Sequence, residues 1–260
     1  MKVLEHIENG KGRTQFSFEI LPPLKGENIQ SIFNAIDPLM EFKPPFIDVT
    51  YHREEYVYHE RKDGLLQKKV VRKRPGTVGI CAAIQNKYDV DAIPHILCGG
   101  KYLDAELQNH AKTNFCVGVA GYPEKHIEAP NMDSDIHFLK KKIKNGASYV
   151  VTQMFFDNKK YFDFVEKCRN EGITVPIIPG LKPLTTKKQL NLIPHRFNAE
   201  LPESFIKEVL KCKNNEQVRA VGIEWCIAQS KELISWGVPF LHYYSMGKSN
   251  SVKAVASSLF

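Results

Sequence analysis

The sequence predicts an α/β fold, and within that class a (β/α)8 barrel of the TIM type. Its length of 260 residues suits one such barrel, which typically needs about 250. Short apolar runs typical of buried strands alternate along the whole chain with amphipathic stretches typical of helices. No linker or low-complexity segment interrupts the alternation, so we expect a single domain over residues 1–260.

The first predicted strand covers residues 16–20 and carries the first candidate functional residue. Phe16 and Phe18 alternate with polar residues, and a pair of prolines beginning at Pro22 ends the strand because proline has no backbone N–H to donate. Glu19 therefore lies at the carboxyl end of the strand, where barrel enzymes hold their reacting groups. Taken alone, the pattern also fits an edge-strand glutamate that faces water.

Six more strands follow in chain order. They are predicted over residues 46–51, 93–98, 115–120, 149–156, 175–179 and 239–244. The predicted helices cover residues 29–36, 76–88 and 216–236, with one capped by Asp133, Ser134 or Asp135, one capped by Asp157, one with Pro202 at its first position, and one after residue 249. A basic segment after the second strand is predicted to form a hairpin-like excursion.

Seven strands are one fewer than a closed barrel needs. The shortage lies between Cys98 and Phe115, where only the sixteen residues 99–114 connect two strands. A parallel crossover takes a dozen or more residues, so one helix fits there, whereas a helix, a strand and a second helix do not. The barrel is either open there or the sequence omits one βα unit near Gly100 and Lys101, and we favour the omission.

Composition excludes several functional classes. No apolar run approaches the ~18 residues of a membrane helix and no signal-peptide pattern follows Met1, so we expect a cytoplasmic protein without a membrane partner. The six cysteines form no CxxC pair, and the sequence predicts neither a disulfide framework nor a metal site. The net charge of +7 favours an anionic ligand.

The positive charge is concentrated in two basic blocks. One block contains Lys68, Lys69, Arg72, Lys73 and Arg74, and the other contains Lys140, Lys141 and Lys142. Each block by itself is ordinarily a solvated surface, and the alternative is a site for a phosphorylated cofactor or a polycarboxylate. No RNA-binding motif accompanies them, so we expect no nucleic-acid partner.

Five short motifs occur in order, each at the end of a predicted strand. They are FEILPP at 18–23, VTY at 49–51, PHILC at 94–98, GYPEKH at 121–126 and TQMFFD at 152–157. With these motifs the chain resembles the methylenetetrahydrofolate reductase family over nearly its whole length. The resemblance implies an FAD-carrying barrel that uses NADH or NADPH to reduce 5,10-methylenetetrahydrofolate to 5-methyltetrahydrofolate. It also implies a homo-oligomer that serves one-carbon metabolism and methionine biosynthesis.

In this resemblance Glu19 corresponds to the general acid. The five-membered ring of the substrate must open to an iminium ion before hydride transfer, and opening requires a proton on the leaving nitrogen. A carboxyl between Phe18 and Ile20 at a barrel mouth can be desolvated, which favours its protonated form near neutral pH.

The resemblance also assigns residues to the substrate and the cofactor. Gln153 corresponds to a glutamine that reaches the pterin, while Gln189 and Lys248 correspond to contacts with the folate tail. The residues that correspond to cofactor contacts are Thr50, Tyr51, His95, Tyr122, His126, Asp135, Lys141 and Lys142. By themselves, Gln153 fits a strand-end cap, His95 a core histidine, and the two lysines a solvated helix face.

One feature of the family is missing from the sequence. Family members carry a Leu-Arg-Gly-Asp motif that holds the flavin, and residues 99–114 do not contain it. If the molecule itself lacks this motif, the alternative function is a non-catalytic barrel that binds folate or a partner. An unrelated phosphate-binding barrel would need a glycine-rich loop after a late strand, and the segment from Gly180 to Pro183 fits that poorly. The sequence does not distinguish NADH from NADPH.

Overall fold

A computed structural model describes residues 1–52, 55–71, 73–96 and 114–260. Up to residue 96 its elements are α1 (Val3–Asn9), β1 (Gln15–Ile20), α2 (Gln30–Ile36), a 3-10 helix (Asp37–Phe42), β2 (Phe46–Val49), β3 (Glu55–Glu60), β4 (Leu66–Val71), α3 (Thr77–Tyr88) and β5 (Asp91–Pro94). From residue 114 they are β6 (Val117–Gly121), α4 (Met132–Lys144), β7 (Ala147–Thr152), α5 (Asn158–Asn170), β8 (Ile177–Ile178), β9 (Gly180–Leu181), α6 (Gln189–Phe197), α7 (Glu203–Lys211), α8 (Asn215–Trp236), β10 (Phe240–Tyr244) and α9 (Asn250–Ala256).

The seven predicted strand runs are confirmed, and they pair in parallel. One sheet has the order β5-β2-β1-β10-β9 and another the order β6-β7-β8. The strand predicted over residues 175–179 is observed only as β8, and the chain continues past Pro179 into β9, which was not predicted. β8 pairs with β7, while β9 pairs with β10. These two consecutive strands join the sheets into one succession that runs from β5 through β1 to β6. The α/β class with a parallel sheet is therefore confirmed.

β5 and β6 are the two ends of this succession among the described residues. The connection that is predicted to lack a βα unit lies between them. Gly100 and Lys101 fall outside the described residues, as do the neighbouring positions from 97 to 113. Closure of the barrel, and the missing unit itself, therefore stay predictions.

The strands bury their two faces in different surroundings. Phe16, Phe18 and Ile20 of β1 belong to a large apolar cluster with residues of the surrounding helices. A second cluster brings together Phe46, Tyr149, Ile178 and Phe240, from β2, β7, β8 and β10, with Val3 and Ile7 of α1 packed against it. Because side chains from four strands meet in that cluster, the sheets curve around a common interior, and α1 covers one end of it. The sequence analysis did not predict α1.

The helix caps are partly as predicted. Asp157 caps α5 by accepting from the N–H of Lys159 at 2.9 Å, as expected. The prediction of a cap at residues 133–135 was wrong, because Asn131 caps α4 by accepting from the N–H of Ser134 at 2.8 Å. Asn131 has the extended backbone that an N-cap needs, whereas residues 133–135 are already helical. Pro202 is the N-cap of α7 rather than its first helical residue.

The basic excursion is an antiparallel hairpin of β3 and β4, as predicted. Its base is fastened to the loop after β1, where the N–H of Lys25 donates to the carbonyl of Lys73 at 2.8 Å. The hairpin therefore starts beside the segment that carries Glu19. None of the helices in the described part of the chain is long and apolar enough to cross a membrane.

α8 packs directly on the loop that follows β9. A Cβ atom added at Gly222 would lie 2.0 Å from the carbonyl oxygen of Leu184, so only glycine fits there without movement of the backbone. A Cβ at Gly180 would similarly lie 2.2 Å from the carbonyl oxygen of Thr152. These two glycines set the spacing between β7, β9 and α8.

Candidate active site

Glu19 is buried at the carboxyl end of β1. It is 7% exposed, and its neighbours in register are Asp48 of β2 and Tyr244 of β10. Thr50 Oγ1 donates to Glu19 Oε1 at 2.5 Å, and His95 Nδ1 lies 3.6 Å from Oε2. The structure therefore places Thr50 and His95, both expected at the cofactor, against the expected acid.

The surroundings of Glu19 favour its protonated form. Burial raises the pKa of Glu19 to about 7, and the charge of Asp48 adds to this effect, while His95, Thr50 and Lys182 oppose it. About half of such carboxyls hold a proton at neutral pH, so Glu19 can donate one there.

Asp48 is the centre of a row of polar side chains beneath Glu19. Its Oδ2 lies 3.3 Å from His95 Nε2 and 3.7 Å from His242 Nε2. His242 Nδ1 in turn lies 2.9 Å from Ser17 Oγ. Asp48 is 3% exposed and His242 is fully buried. The interior of the sheets therefore holds a connected polar layer next to the apolar cluster.

The two histidines of this layer carry different charges. Burial by itself would lower the pKa of His95, but the hydrogen bond to Asp48 and the charges of Asp48 and Glu19 outweigh it and raise the pKa to about 9. Burial lowers the pKa of His242 to about 4. At neutral pH, His95 is therefore an imidazolium ion between two carboxyl groups, and His242 is neutral.

The sequence analysis missed Asp48, His242 and Lys182. A usable signal was present, because strands of a parallel sheet are ordinarily apolar on both faces. Asp48 and His242 break such runs, each two residues before another polar side chain, Thr50 and Tyr244. Polar residues at alternate positions of a buried strand indicate a polar interior.

The residues expected at the substrate lie at the ends of other strands. Gln153 follows β7, and its Oε1 accepts from the N–H of Met154 at 3.0 Å. Gln189 begins α6, and its Oε1 accepts from the N–H of Thr185 at 2.7 Å, which leaves its amide nitrogen for other partners. Lys248 is exposed in the turn after β10.

Three residues expected at the cofactor form a second group after β6. The rings of Tyr122 and His126 lie 4.6 Å apart between centroids and nearly perpendicular. The N–H of His126 donates to the Asp135 carboxylate at 2.8 Å. The bond between His126 and Asp135 therefore connects the loop after β6 to the first turn of α4. Tyr51 is half-buried directly after β2.

The two lysines expected at the cofactor lie in the last turn of α4. Lys142 follows Asp135 by seven residues, which places it on the same helix face about 10 Å further along. Lys141 is turned away from that face, and its ammonium lies 5.2 Å from the ring centroid of Phe138. The structure therefore aligns Lys142 with Asp135 but does not bring Lys141 to them.

The candidates expected at the substrate follow β10 and β7 or begin α6, and they form a substrate arc in the middle of the strand succession. Those expected at the cofactor form two groups, one after β5 and β2 at one end of the succession and one after β6 and on α4 at the other end. Glu19 on β1 lies between β2 and β10, so it adjoins both the substrate arc and the first cofactor group.

The sequence model of the methylenetetrahydrofolate reductase family matches residues 2–114 and 101–259. This chain belongs to that family. The two matched segments share residues 101–114, so the match is divided at the same short connection that the sequence analysis singled out.

The relatives align with nearly all of this chain but differ in how much of their own length the alignment covers. The 5,10-methylenetetrahydrofolate reductase of Salmonella typhimurium is 30% identical over 96% of this chain and 92% of the relative. Methylenetetrahydrofolate reductase 1 of Schizosaccharomyces pombe is 26% identical over 96% of this chain but 46% of the relative. The chain thus spans about half the length of the eukaryotic relatives. The alignment to the NADH enzyme of Arabidopsis thaliana extends over 316 residues, so that relative has residues without a counterpart here.

A solved structure confirms the fold. An uncharacterized protein from Clostridium thermocellum, described as binding two copies of 5-methyl-5,6,7,8-tetrahydrofolic acid, superposes with a TM-score of 0.62. The superposition covers 98% of this chain and 96% of that protein, at 15% identity. Similarity at this identity establishes a shared architecture.

Proposed function

We propose that this chain catalyses the FAD-dependent reduction of 5,10-methylenetetrahydrofolate to 5-methyltetrahydrofolate, with NADH or NADPH as the hydride source and Glu19 as the general acid. The observation that carries the proposal is the buried carboxyl of Glu19, whose pKa burial raises to about 7. Family membership and the names of the relatives support the reaction, and relatives named for NADH and for NADPH both occur.

The neighbours of Glu19 suit a group that loses its proton. Opening of the substrate ring requires a proton on the leaving nitrogen, and Glu19 is left as a carboxylate after donating it. Thr50 donates to one carboxylate oxygen, and the His95 imidazolium lies 3.6 Å from the other. Both contacts stabilise the carboxylate as it forms, so they assist the proton transfer.

The group of residues after β6 and on α4 fits FAD. Tyr122 and His126 offer aromatic and imidazole surfaces, the Asp135 carboxylate can accept from sugar hydroxyls, and the Lys142 ammonium can neutralise a phosphate. The distance of about 10 Å along one face of α4 suits an elongated dinucleotide. Bound there, FAD would supply the carrier that takes hydride from the nicotinamide and passes it to the folate.

The test is a visible absorption spectrum of the purified protein, recorded without oxygen before and after NADH is added. We expect an oxidised-flavin spectrum that NADH bleaches and that 5,10-methylenetetrahydrofolate then restores. Restoration of the spectrum would demonstrate both half-reactions.

A colourless protein that takes up no added FAD would overturn the proposal. The divided family match would then favour the other function predicted from the sequence, a non-catalytic barrel that binds folate or a partner. Binding of 5-methyltetrahydrofolate to the colourless protein, measured by calorimetry, would support that function.

A further inference from the structure

Lys182 is a buried cation that the proposed proton transfer does not need. It directly follows β9 and is 9% exposed. The described residues provide no hydrogen bond or salt bridge to its ammonium, and the groups that act on it through charge are Glu19 and the Cys226 thiol. An ammonium that is mostly buried and has no acceptor among the described residues has lost much of its hydration, so an acceptor on a ligand would stabilise it.

The register of β9 shows which way Lys182 points. Gly180 pairs with His242, which belongs to the polar interior, whereas Leu181 packs in the cluster on the helix side. Lys182 directly follows the strand, and continued alternation turns its side chain to the interior side, where Glu19 lies. The charge interaction between Lys182 and Glu19 agrees with this direction. The Lys182 nitrogen is not fully enclosed, so it keeps some contact with solvent.

The strand order places Lys182 in the substrate arc. β9 lies next to β10, and its continuation β8 lies next to β7, so Lys182 stands between Gln153 and Lys248. Lys248 is exposed at the rim and suits a carboxylate of the folate tail. Lys182 is deeper and close to Glu19, which must reach the nitrogen atoms of the reacting ring. The part of the substrate at that depth is the pterin.

We propose that the Lys182 ammonium donates a hydrogen bond to the carbonyl oxygen of the folate pterin and so positions the reacting ring beside Glu19. The inference rests on the proposed function. An ammonium has three donors and no acceptor, so it selects a carbonyl oxygen over an amino group. Burial lowers the pKa of Lys182 to about 8, and Glu19 opposes this shift. At neutral pH the Lys182 side chain is therefore charged in most molecules.

The experiment measures the dissociation constant of 5-methyltetrahydrofolate for the FAD-loaded protein by calorimetry, without turnover. Lys182→Met is expected to weaken binding by about 10- to 100-fold, in the range found for hydrogen bonds from charged groups. Lys188→Met removes an exposed lysine from the same segment and should bind as the wild type does. The rate at which NADH bleaches the flavin should be the same in Lys188→Met and in the wild type.

A pH series separates a binding role from a structural one. Wild-type affinity should fall as the pH rises above about 8, because Lys182 loses its proton, and the Lys182→Met protein should lack this step. Of the groups that act on Lys182, Glu19 titrates at a lower pH and Cys226 at a higher one. Any change in affinity caused by deprotonation of His95 near pH 9 should occur in both the wild type and Lys182→Met.

The possible outcomes separate this inference from the proposed function. If the wild type binds folate and Lys182→Met binds it equally well, the inference is wrong and the proposed function stands. If the wild type neither binds folate nor bleaches with NADH, the proposed function is wrong. Should Lys182→Met fail to fold, Lys182→Gln keeps a donor but cannot titrate, and a step in affinity near pH 8 that persists in that variant would contradict the inference.

Discussion

Glu19 lies at the carboxyl end of β1 and Glu124 in the loop after β6, and burial raises the pKa of both to about 7. They differ in their partners. Glu19 contacts a hydroxyl and an imidazolium, whereas Glu124 Oε2 accepts from the backbone N–H of Glu200 at 2.8 Å and its Oε1 has no hydrogen bond among the described residues. A raised pKa therefore does not by itself identify an acid catalyst. Glu19 is the candidate acid because His95 can stabilise its carboxylate.

Glu124 instead belongs to a structural connection. Asn198 Nδ2 donates to the carbonyls of Glu124 and Lys125 at 3.3 and 3.2 Å. Together with the contact to Glu200, these bonds fasten the loop that carries Tyr122 and His126 to the segment before α7. Glu124 also lines a cavity of about 310 Å³ beside α5, with Lys160 and Glu200. The carboxyl of Glu124 therefore holds this loop in place.

The largest expected difference between the two glutamates is catalytic. Glu19→Gln should lower folate turnover by about 10²- to 10⁴-fold, the usual contribution of a general acid. Bleaching of the flavin by NADH needs no such acid and should persist. Glu124→Gln is the matched control and should keep most of its turnover. Normal folate turnover in Glu19→Gln would remove Glu19 from the mechanism.

The second prediction tests the positive charge of His95, which distinguishes the surroundings of Glu19 from those of Glu124. Asp48→Asn should lower the pKa of His95 from about 9 towards its ordinary value, because Asp48 accepts its hydrogen bond and is the larger of the two negative charges that raise this pKa. NMR titration of the imidazole measures this directly. Folate turnover should fall by about tenfold, which corresponds to roughly 1.4 kcal/mol of lost carboxylate stabilisation. An unchanged pKa of His95 would show that Asp48 does not control it.

The same variant changes the dependence of stability on pH. The raised pKa of His95 stabilises the wild-type fold fully below pH 6.5, and this contribution disappears as the pH rises through about 9. The imidazole is 37% exposed, so we expect the effect to be only about 1 kcal/mol. Urea unfolding at pH 6 and pH 9.5 should show a smaller difference for Asp48→Asn than for the wild type.

The smallest expected effect concerns Glu124. Its raised pKa means that the fold is stabilised fully below pH 4.5 and loses this contribution as the pH rises through about 7. Glu124→Gln cannot ionise and can still accept from the N–H of Glu200. It should match the wild type at pH 5 and exceed its unfolding free energy by about 1 kcal/mol at pH 8, where the wild type buries a charge. Equal urea midpoints at pH 8 would contradict this.

The sequence predicted the strands and the position of Glu19 at a strand end better than it predicted the side chains that contact Glu19. Glu19 was found because prolines mark the end of β1, and Asp157 because a cap lies next to the helix it serves. Asp48 and His242 meet only through the register of β1, β2 and β10, which joins residues almost 200 positions apart. Hairpin, caps and strand ends are local in sequence, whereas a buried polar layer depends on which strands become neighbours.

The contact between Gly222 and Leu184 has a consequence for directed evolution of this pocket. The loop after β9 carries Lys182 and leads to Gln189, so it is an obvious target for random mutagenesis. Position 222 lies outside that loop, yet every side chain other than glycine would collide with its backbone. A library that varies the loop while holding Gly222 constant should yield folded variants, and one that also randomises position 222 should return almost exclusively glycine there. Substrate range can therefore evolve in the loop only while the helix beneath it keeps this residue.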